Sequence, residues 1–277
     1  MSKKLLALYS LKYNPFCQEI PAGALFVSPS VESFCWRIEH QVSEGGFSLV
    51  TGEPGAGKSA TLRIIEERLG GLRDLAVGVL TRPQASLNDF YRELGDLFGV
   101  PLSPCNRWGG AKALRQKWLA HIQTSLYRPV VIADEAQEMS TALLCELRLL
   151  SSADLDSRSI LSVILCGDSR LVDRLQDPEL LPIASRIRSR LRIEPAGPEE
   201  LRNCLLHVLK NAGNPRLLST PVIQALSEHS AGNYRTLMNM ANDLLAAALR
   251  RELDQIDEKL FFEVFSMEPK TSARTKP

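Results

Sequence analysis

The residues in this chain with the plainest chemical meaning are Gly52, Glu53, Pro54, Gly55, Ala56, Gly57, Lys58 and Ser59. Together they satisfy GxxxxGK[ST], a spacing that works when a strand precedes it and a helix follows. The glycines let the backbone curl round phosphates. Successive N–H groups and the N-terminus of the next helix then point at the negative charge. At this spacing Lys58 reaches the β- and γ-phosphates and the Ser59 hydroxyl is a ligand for Mg²⁺. Ala60 closes the stretch that would touch the nucleotide. The competing reading is a Gly-rich β–α turn that binds nothing; the joint fit of spacing and context speaks against it.

Further along, Val130-Val131-Ile132-Ala133 forms an apolar run that ends in Asp134 and Glu135. Asp134 would hold the hydration shell of the Mg²⁺, and Glu135 would take the proton of an attacking water. A base aimed at water separates a hydrolase from a kinase, whose base serves the acceptor. The plainer alternative is an acidic cap after a strand.

These groups need a scaffold, and the sequence pattern supplies one. Ser30 would cap a helix over 30–43 with Val31, Phe34, Cys35, Ile38 and Val42 on one face. Residues 47–51 read as a strand, Lys58–Leu69 as a helix and 75–80 as a second strand. Ser86 and Asp89 resemble a capping box opening a helix to Phe98, which Gly99 ends. A helix over 108–125 follows. Residues 129–134 read as a strand, apolar up to Asp134, as in a sheet covered on both faces. Then come a helix over 140–150, a strand over 160–166, a short helix near 169–176 and a last strand over 191–194. Strands alternating with helices predict a three-layer, doubly wound parallel α/β sheet. From Pro198 onward only helices are expected, over 198–212, 220–230, 233–252 and 257–266. The expected division is therefore an N-terminal segment 1–29, an α/β domain 30–196, a small all-α lid 197–268 and a disordered basic tail 269–277.

With 277 residues, 44% hydrophobic and 23% charged, the chain is not of disordered or collagen-like composition. Thirty-three basic against 32 acidic residues give +1, so any nucleic-acid surface has to be local. The six cysteines show no CxxC spacing and suggest buried, reduced thiols. The N-terminal apolar stretch is short and interrupted by Lys12, and no run of about 18 apolar residues exists. A cytoplasmic protein with no membrane span is expected.

Asp134-Glu135-Ala136-Gln137 after such a strand resembles the AAA+ ATPases. Within them the chain is similar to the ExeA/GspA-type secretion ATPases and to the ATPase subunits of transposons (TnsC, IstB and Mu B). Tyr13-Asn14-Pro15-Phe16 resembles the "PF" opening of the ExeA-type group, and so does the order of Phe47 through Glu53. Gly167 with Leu171 resembles the family's GxxxL, Ser185-Arg186-Ile187 its QRI box, and Gly232-Asn233-Tyr234-Arg235 its GxxR second sensor. The resemblance spans roughly 9–265. It implies a P-loop AAA+ ATPase that uses ATP and Mg²⁺ and self-associates into rings or helical filaments. Asp168 would be the first sensor or else a helix cap; the family has a neutral polar residue there. Arg186 would be an arginine finger acting on a neighbouring subunit, with Arg188 and Arg190 as alternatives. A solvated basic edge is the plainer account of all three. Arg235 would be the second sensor, or a surface arginine. Tyr13 and Phe16 would wall the adenine, or serve only as core.

Two uses for the ATPase follow from the resemblance. One is a DNA-binding regulator of transposition that recruits or activates a transposase and meets a target-selection protein. The other is a secretion ATPase at the cell envelope. Contact with double-stranded DNA, mainly through its backbone, would need a local basic surface. The candidates are Arg82; the group Arg107, Lys112, Arg115 and Lys117, interleaved with tryptophan; and Lys270, Arg274 and Lys276 of the tail. A solvated helix face with Trp118 in the core is the alternative for the middle group.

Overall fold

The computed structural model of the protein describes residues 2–101, 107–125, 127–154 and 157–265. The chain divides into two compact units, Val27–Glu194 and the N-terminal Met1–Phe26 joined with the chain from Pro195 onward.

A first helix, α1 (Ser2–Leu8), belongs to the second of these units. The Val27–Glu194 unit starts with α2 (Pro29–Gln41). It continues through β1 (Gly46–Gly52), α3 (Lys58–Gly70), β2 (Val77–Leu80), α4 (Leu87–Phe98), α5 (Arg107–Ser125) and β3 (Val130–Ala133). Next come α6 (Thr141–Ser151), a small antiparallel pair β4 (Ser152–Ala153) and β5 (Arg158–Ser159), and β6 (Ser162–Gly167). Helices α7 (Ser169–Arg174) and α8 (Leu181–Ala184) lead to β7 (Ile187–Ile193).

The five-stranded sheet has the order β2-β3-β6-β1-β7, and every pairing in it is parallel. Phe47, Leu49, Val131, Val163 and Leu165 face one core, shared with Phe90, Leu94, Trp118, Leu143 and Leu147 of α4, α5 and α6. The alternate positions face the other way, where the Ser48 hydroxyl donates to Gln41 Oε1 of α2 at 3.1 Å. Phe34, Ile38, Ile64 and Ile65 are buried on α2 and α3 above Val50, Ile132 and Ile164. The sheet is thus covered on both faces, which is why β3 and β6 read as unbroken apolar runs.

Helix starts follow the side chains that can satisfy free backbone N–H groups. Ser86, Ser140 and Ser219 cap α4, α6 and a later helix over Thr220–His229, each worth about 1 kcal/mol. The start of α2 corrects the expected Ser30: Ser28 is the cap and Pro29 occupies the first turn, where a missing N–H costs nothing.

β7 also departs from expectation, running from Ile187 rather than from Leu191. As an edge strand it buries Ser189 and Leu191 while Arg188, Arg190 and Arg192 stay exposed. That arginine alternation hid the strand from a reading that looked for apolar runs.

The other unit is helical, with α9 (Pro198–Ala212), α10 (Thr220–His229), α11 (Tyr234–Arg251) and α12 (Glu258–Phe265). Its core unites Leu201, Leu205, Leu226, Leu237 and Leu245 with Leu5, Tyr9, Leu11, Phe16 and Ile20 of the N-terminal segment. The Asn214 amide donates to the Tyr9 carbonyl at 3.0 Å and Lys12 N–H to the Ala212 carbonyl at 2.9 Å. The tail 269–277 lies outside the described residues.

Candidate functional site at the carboxyl ends of the strands

The register aligns Leu49 of β1 with Leu165 of β6, and Leu165 with Ala133 of β3. Three adjacent strands therefore release the Gly52–Gly57 loop, Asp168 and Asp134 at one edge of the sheet. Ligands of open α/β sheets bind outside this carboxyl edge, where strand order reverses.

In the loop, Gly55 and Gly57 take φ values of +85° and +100°, a region costly for any side chain. Lys58 is nine-tenths buried, and its ammonium donates to the carbonyls of Gly52 at 2.9 Å and Glu53 at 3.3 Å. The Ser59 hydroxyl donates to Asp134 Oδ2 at 3.0 Å. Asp134 Oδ1 accepts the Glu135 N–H at 2.9 Å. Beside it, burial and then the Asp134 carboxylate push the Cys166 thiol far above its ordinary range, so Cys166 stays a neutral core group. The free cysteines Cys35 and Cys204 are likewise raised by burial, to about 11 and about 12.

Glu135 stands at φ +50°, a conformation that non-glycine residues avoid and that gathers at functional sites. Its carboxylate accepts a hydrogen bond from Gln137 Nε2. Asp168 caps α7, accepting the Arg170 N–H at 2.9 Å, and pairs with the Arg170 guanidinium at 2.8 Å. Arg170, more than the other surroundings, holds the Asp168 carboxyl below the usual carboxylate range. Arg170 also bridges to Glu138 at 2.9 Å.

Arg186 lies elsewhere. Ile187 pairs with Phe47 and Ile193 with Gly52, so Arg186 precedes β7 at the amino edge of the sheet. Five residues of strand separate that edge from the phosphate loop, about 17 Å, further than an arginine side chain extends. There it lines a cleft of about 280 Å³ with Arg158, Arg188, Ser152, Ser157 and Ser185. Its guanidinium donates to the Pro182 carbonyl. Arg188 pairs with Glu44 at 2.6 Å and Arg190 donates to the Ala184 carbonyl at 3.2 Å. Burial, and then Arg158, hold the guanidinium of nearby Arg128 below its ordinary value.

In the helical unit Arg235 is exposed in the first turn of α11, behind the Asn233 cap. Gly232, at φ +80°, leaves no room for a Cβ against Pro195, and its carbonyl accepts the Ala196 N–H at 3.0 Å. The Tyr234 hydroxyl donates to Glu200 at 2.8 Å. The Gly232–Arg235 turn is thereby fastened to the start of α9. Phe16 is buried in this unit's core and Tyr13 packs against it, which is the simpler of their two roles.

Among the DNA candidates, Arg115 donates to the Leu149 carbonyl and Lys117 to the Gly99 carbonyl at 3.3 Å. Trp118 is core, edge-on to Phe98 at 5.4 Å. That is the solvated-face alternative for this helix; Arg82 and Lys112 remain exposed. The Arg107 side chain and the tail lysines and arginine lie outside the described residues.

The motifs leave two roles unassigned, those of Arg174 and Gln137. Arg174 holds the loop after β3, donating to the carbonyls of Gln137 at 2.6 Å and Met139 at 2.7 Å. Gln137 is buried within that loop. The signal was present only for Gln137, as a polar residue following two acids at a strand end.

Residues 40–175 match the AAA domain family. Over 211 residues the chain is 30% identical to general secretion pathway protein A of Aeromonas hydrophila, covering 75% of this chain and 38% of that protein. The chain therefore spans about two fifths of the length of that relative. Solved structures with the same fold include Cdc6p from Pyrobaculum aerophilum, with TM-score 0.70 and 16% identity over 90% of this chain and 70% of that one. The Aeropyrum pernix ORC2 protein, with ADPNP and ADP, gives 0.68 and 15% over 95% and 73%. The Aeropyrum pernix ORC1 protein in complex with DNA gives 0.65 and 16% over 91% and 68%. The chain has the fold of these structures, a parallel α/β phosphate-loop sheet followed by a helical part, and its residues 40–175 are similar to the AAA domain family.

Proposed function

We propose that this chain hydrolyses ATP and that a second copy of it completes the site. The observation that carries the reading is the separation of groups on one sheet. The phosphate loop, Ser59, Asp134 and Glu135 gather at the carboxyl edge, while Arg186 and its arginine-lined cleft stand at the other.

The residues fit nucleotide and Mg²⁺. A hydroxyl and a carboxylate meet at 3.0 Å beside a loop of positive-φ glycines. Among the described residues no cluster of three or more His, Cys, Asp or Glu could hold a metal alone. This suits an ion bound by one or two side chains, water and phosphate oxygens. Ser59 would ligate it and Asp134 would hold its hydration shell; bound there, it neutralises phosphate charge. Lys58 would exchange its carbonyl partners for β- and γ-phosphate oxygens. Glu135 would accept the proton of the attacking water. A bare carboxylate at Asp168 would repel the γ-phosphate. Its pairing with Arg170, a cation shared with Glu138, weakens that repulsion, and the pair would serve as the first sensor. Arg235 would be the second sensor and Arg186 the finger toward the neighbouring nucleotide. Turnover that requires Mg²⁺, and that is lost with ATP binding in Lys58→Ala, is the expected result. Unchanged ATP affinity of Lys58→Ala by calorimetry would sink the phosphate-loop assignment.

For what the ATPase acts on, the 30% identical relative supports secretion work at the cell envelope. The second reading is a regulator of transposition that assembles on duplex DNA and recruits a transposase. It draws support from the exposed arginines at alternate positions of β7, since backbone contact needs only such cations. A gel shift with duplex DNA in ATP and in ADP separates the two. ATP-dependent binding selects the DNA regulator; its absence, with retention on cell-wall material, selects the secretion ATPase.

A further inference from the structure

Gln137 is buried between the two loops that flank the phosphate site, and both ends of its amide are used. Nε2 donates to the Glu135 carboxylate, and Oε1 accepts the N–H of Asp168 at 3.3 Å. The amide has one orientation that works. Turned round, it would set its oxygen against a carboxylate and its NH₂ against an N–H.

The surroundings are shaped to this side chain. A Cβ on Gly167 would collide with Gln137 Oε1 and lie 2.9 Å from Leu171 Cδ2. Glycine at 167 therefore serves close approach. The Gln137 backbone is pinned in turn by Arg174, which also reaches Met139 and, at 3.4 Å, Thr141 Oγ1. The base on one side and the capping residue of α7 on the other thus hang on a single fixed amide.

We infer that Gln137 is a positioning residue that couples the orientation of the Glu135 carboxylate to the loop after β6. A displacement of Asp168 toward or away from a γ-phosphate passes through the amide to the base, so that the two loops act together. The inference rests on the hydrolase reading for its kinetic consequence, though not for the coupling itself. The amide's bonds go to Glu135 and Asp168 and not, among the described residues, to the phosphate loop, so its loss should fall on the chemical step and leave nucleotide binding alone.

Gln137→Met tests this, since it keeps length and volume but neither hydrogen bond. The expected loss is about 10²-fold in kcat, the scale of a small misplacement of a reacting group, with KM for ATP and ADP affinity unchanged. In the Glu135→Gln background the same substitution should add no further loss, because both changes act on one unit. Hydrogen exchange without nucleotide gives an independent readout. The Asp168 amide should exchange faster in Gln137→Met, while the amides of β3 and β6 keep their protection. Turnover within about twofold of the parent would overturn the kinetic role and leave the ATPase intact. An unchanged Asp168 amide would overturn the coupling. A parent protein with no turnover would contradict the hydrolase reading, and the exchange arm would still decide the coupling.

Discussion

The two edges of the sheet differ in kind. At the carboxyl edge the polar groups engage one another: Lys58 on loop carbonyls, Ser59 on Asp134, Gln137 on Glu135, Arg170 on Asp168. At the amino edge Arg158, Arg186 and Arg188 line one cleft, where Arg188 pairs with Glu44. In the proposed reading the first edge holds the phosphate loop, the residues toward the metal ion and the base. The other presents several arginines to one cleft. The halves cannot meet within one sheet, because the strand between them holds them about 17 Å apart. Two copies set edge to edge could join them.

Arg186→Ala would break the comparison most severely. Arginine fingers contribute about 10³–10⁵ in rate where they are used. Turnover should fall by that order while the monomer's ATP affinity, read by calorimetry, stays as it was. Glu135→Gln comes next. It removes the proton acceptor from the opposite edge, at a cost of about 10²–10⁴ in turnover, and leaves ATP bound and assemblies locked. Sedimentation in ATP should show them persisting after the parent's have dispersed.

The smallest effect concerns Asp168. Arg170 depresses its carboxyl, so the pair stabilises the folded state above the unfolded carboxylate value, about 3.9. That contribution is lost as pH falls through the lower, folded value. Asp168→Asn should therefore lower the urea midpoint slightly at neutral pH, and the gap should close below about pH 4.

What was legible beforehand follows the same division. The carboxyl edge announces itself because its chemistry is local in sequence: glycines, Lys58 and Ser59 in one turn, Asp134 and Glu135 at the end of an apolar run. The fold was legible for a related reason, since strands covered on both faces leave continuous runs such as Val130–Ala133. The amino edge was half hidden. Ile187 to Arg190 reads as a basic stretch, and only pairing with β1 makes it a strand. Ser28 outcompeted Ser30 as cap because Pro29 suits the first turn. The N-terminal segment's place in the helical core depends on contacts between residues about 200 positions apart, such as Tyr9 with Asn214, which no periodicity encodes. Arg174 was invisible for the same cause, and of Gln137 only the place in a motif was legible: its bond to Asp168 comes from the loop after a different strand.

The central claim, that one active unit is built from the carboxyl edge of one copy and the amino edge of another, is tested most directly by mixing two inactive variants. Glu135→Gln and Arg186→Ala are combined at varied ratios and fixed total protein, with ATP turnover as readout and co-assembly checked by sedimentation. An interface joining the intact Glu135 of one copy to the intact Arg186 of the other is complete, so activity should reappear and peak at intermediate ratios. If the two variants co-assemble and turnover stays at the level of either alone at every ratio, Arg186 does not act across the interface and the two-edge account is wrong.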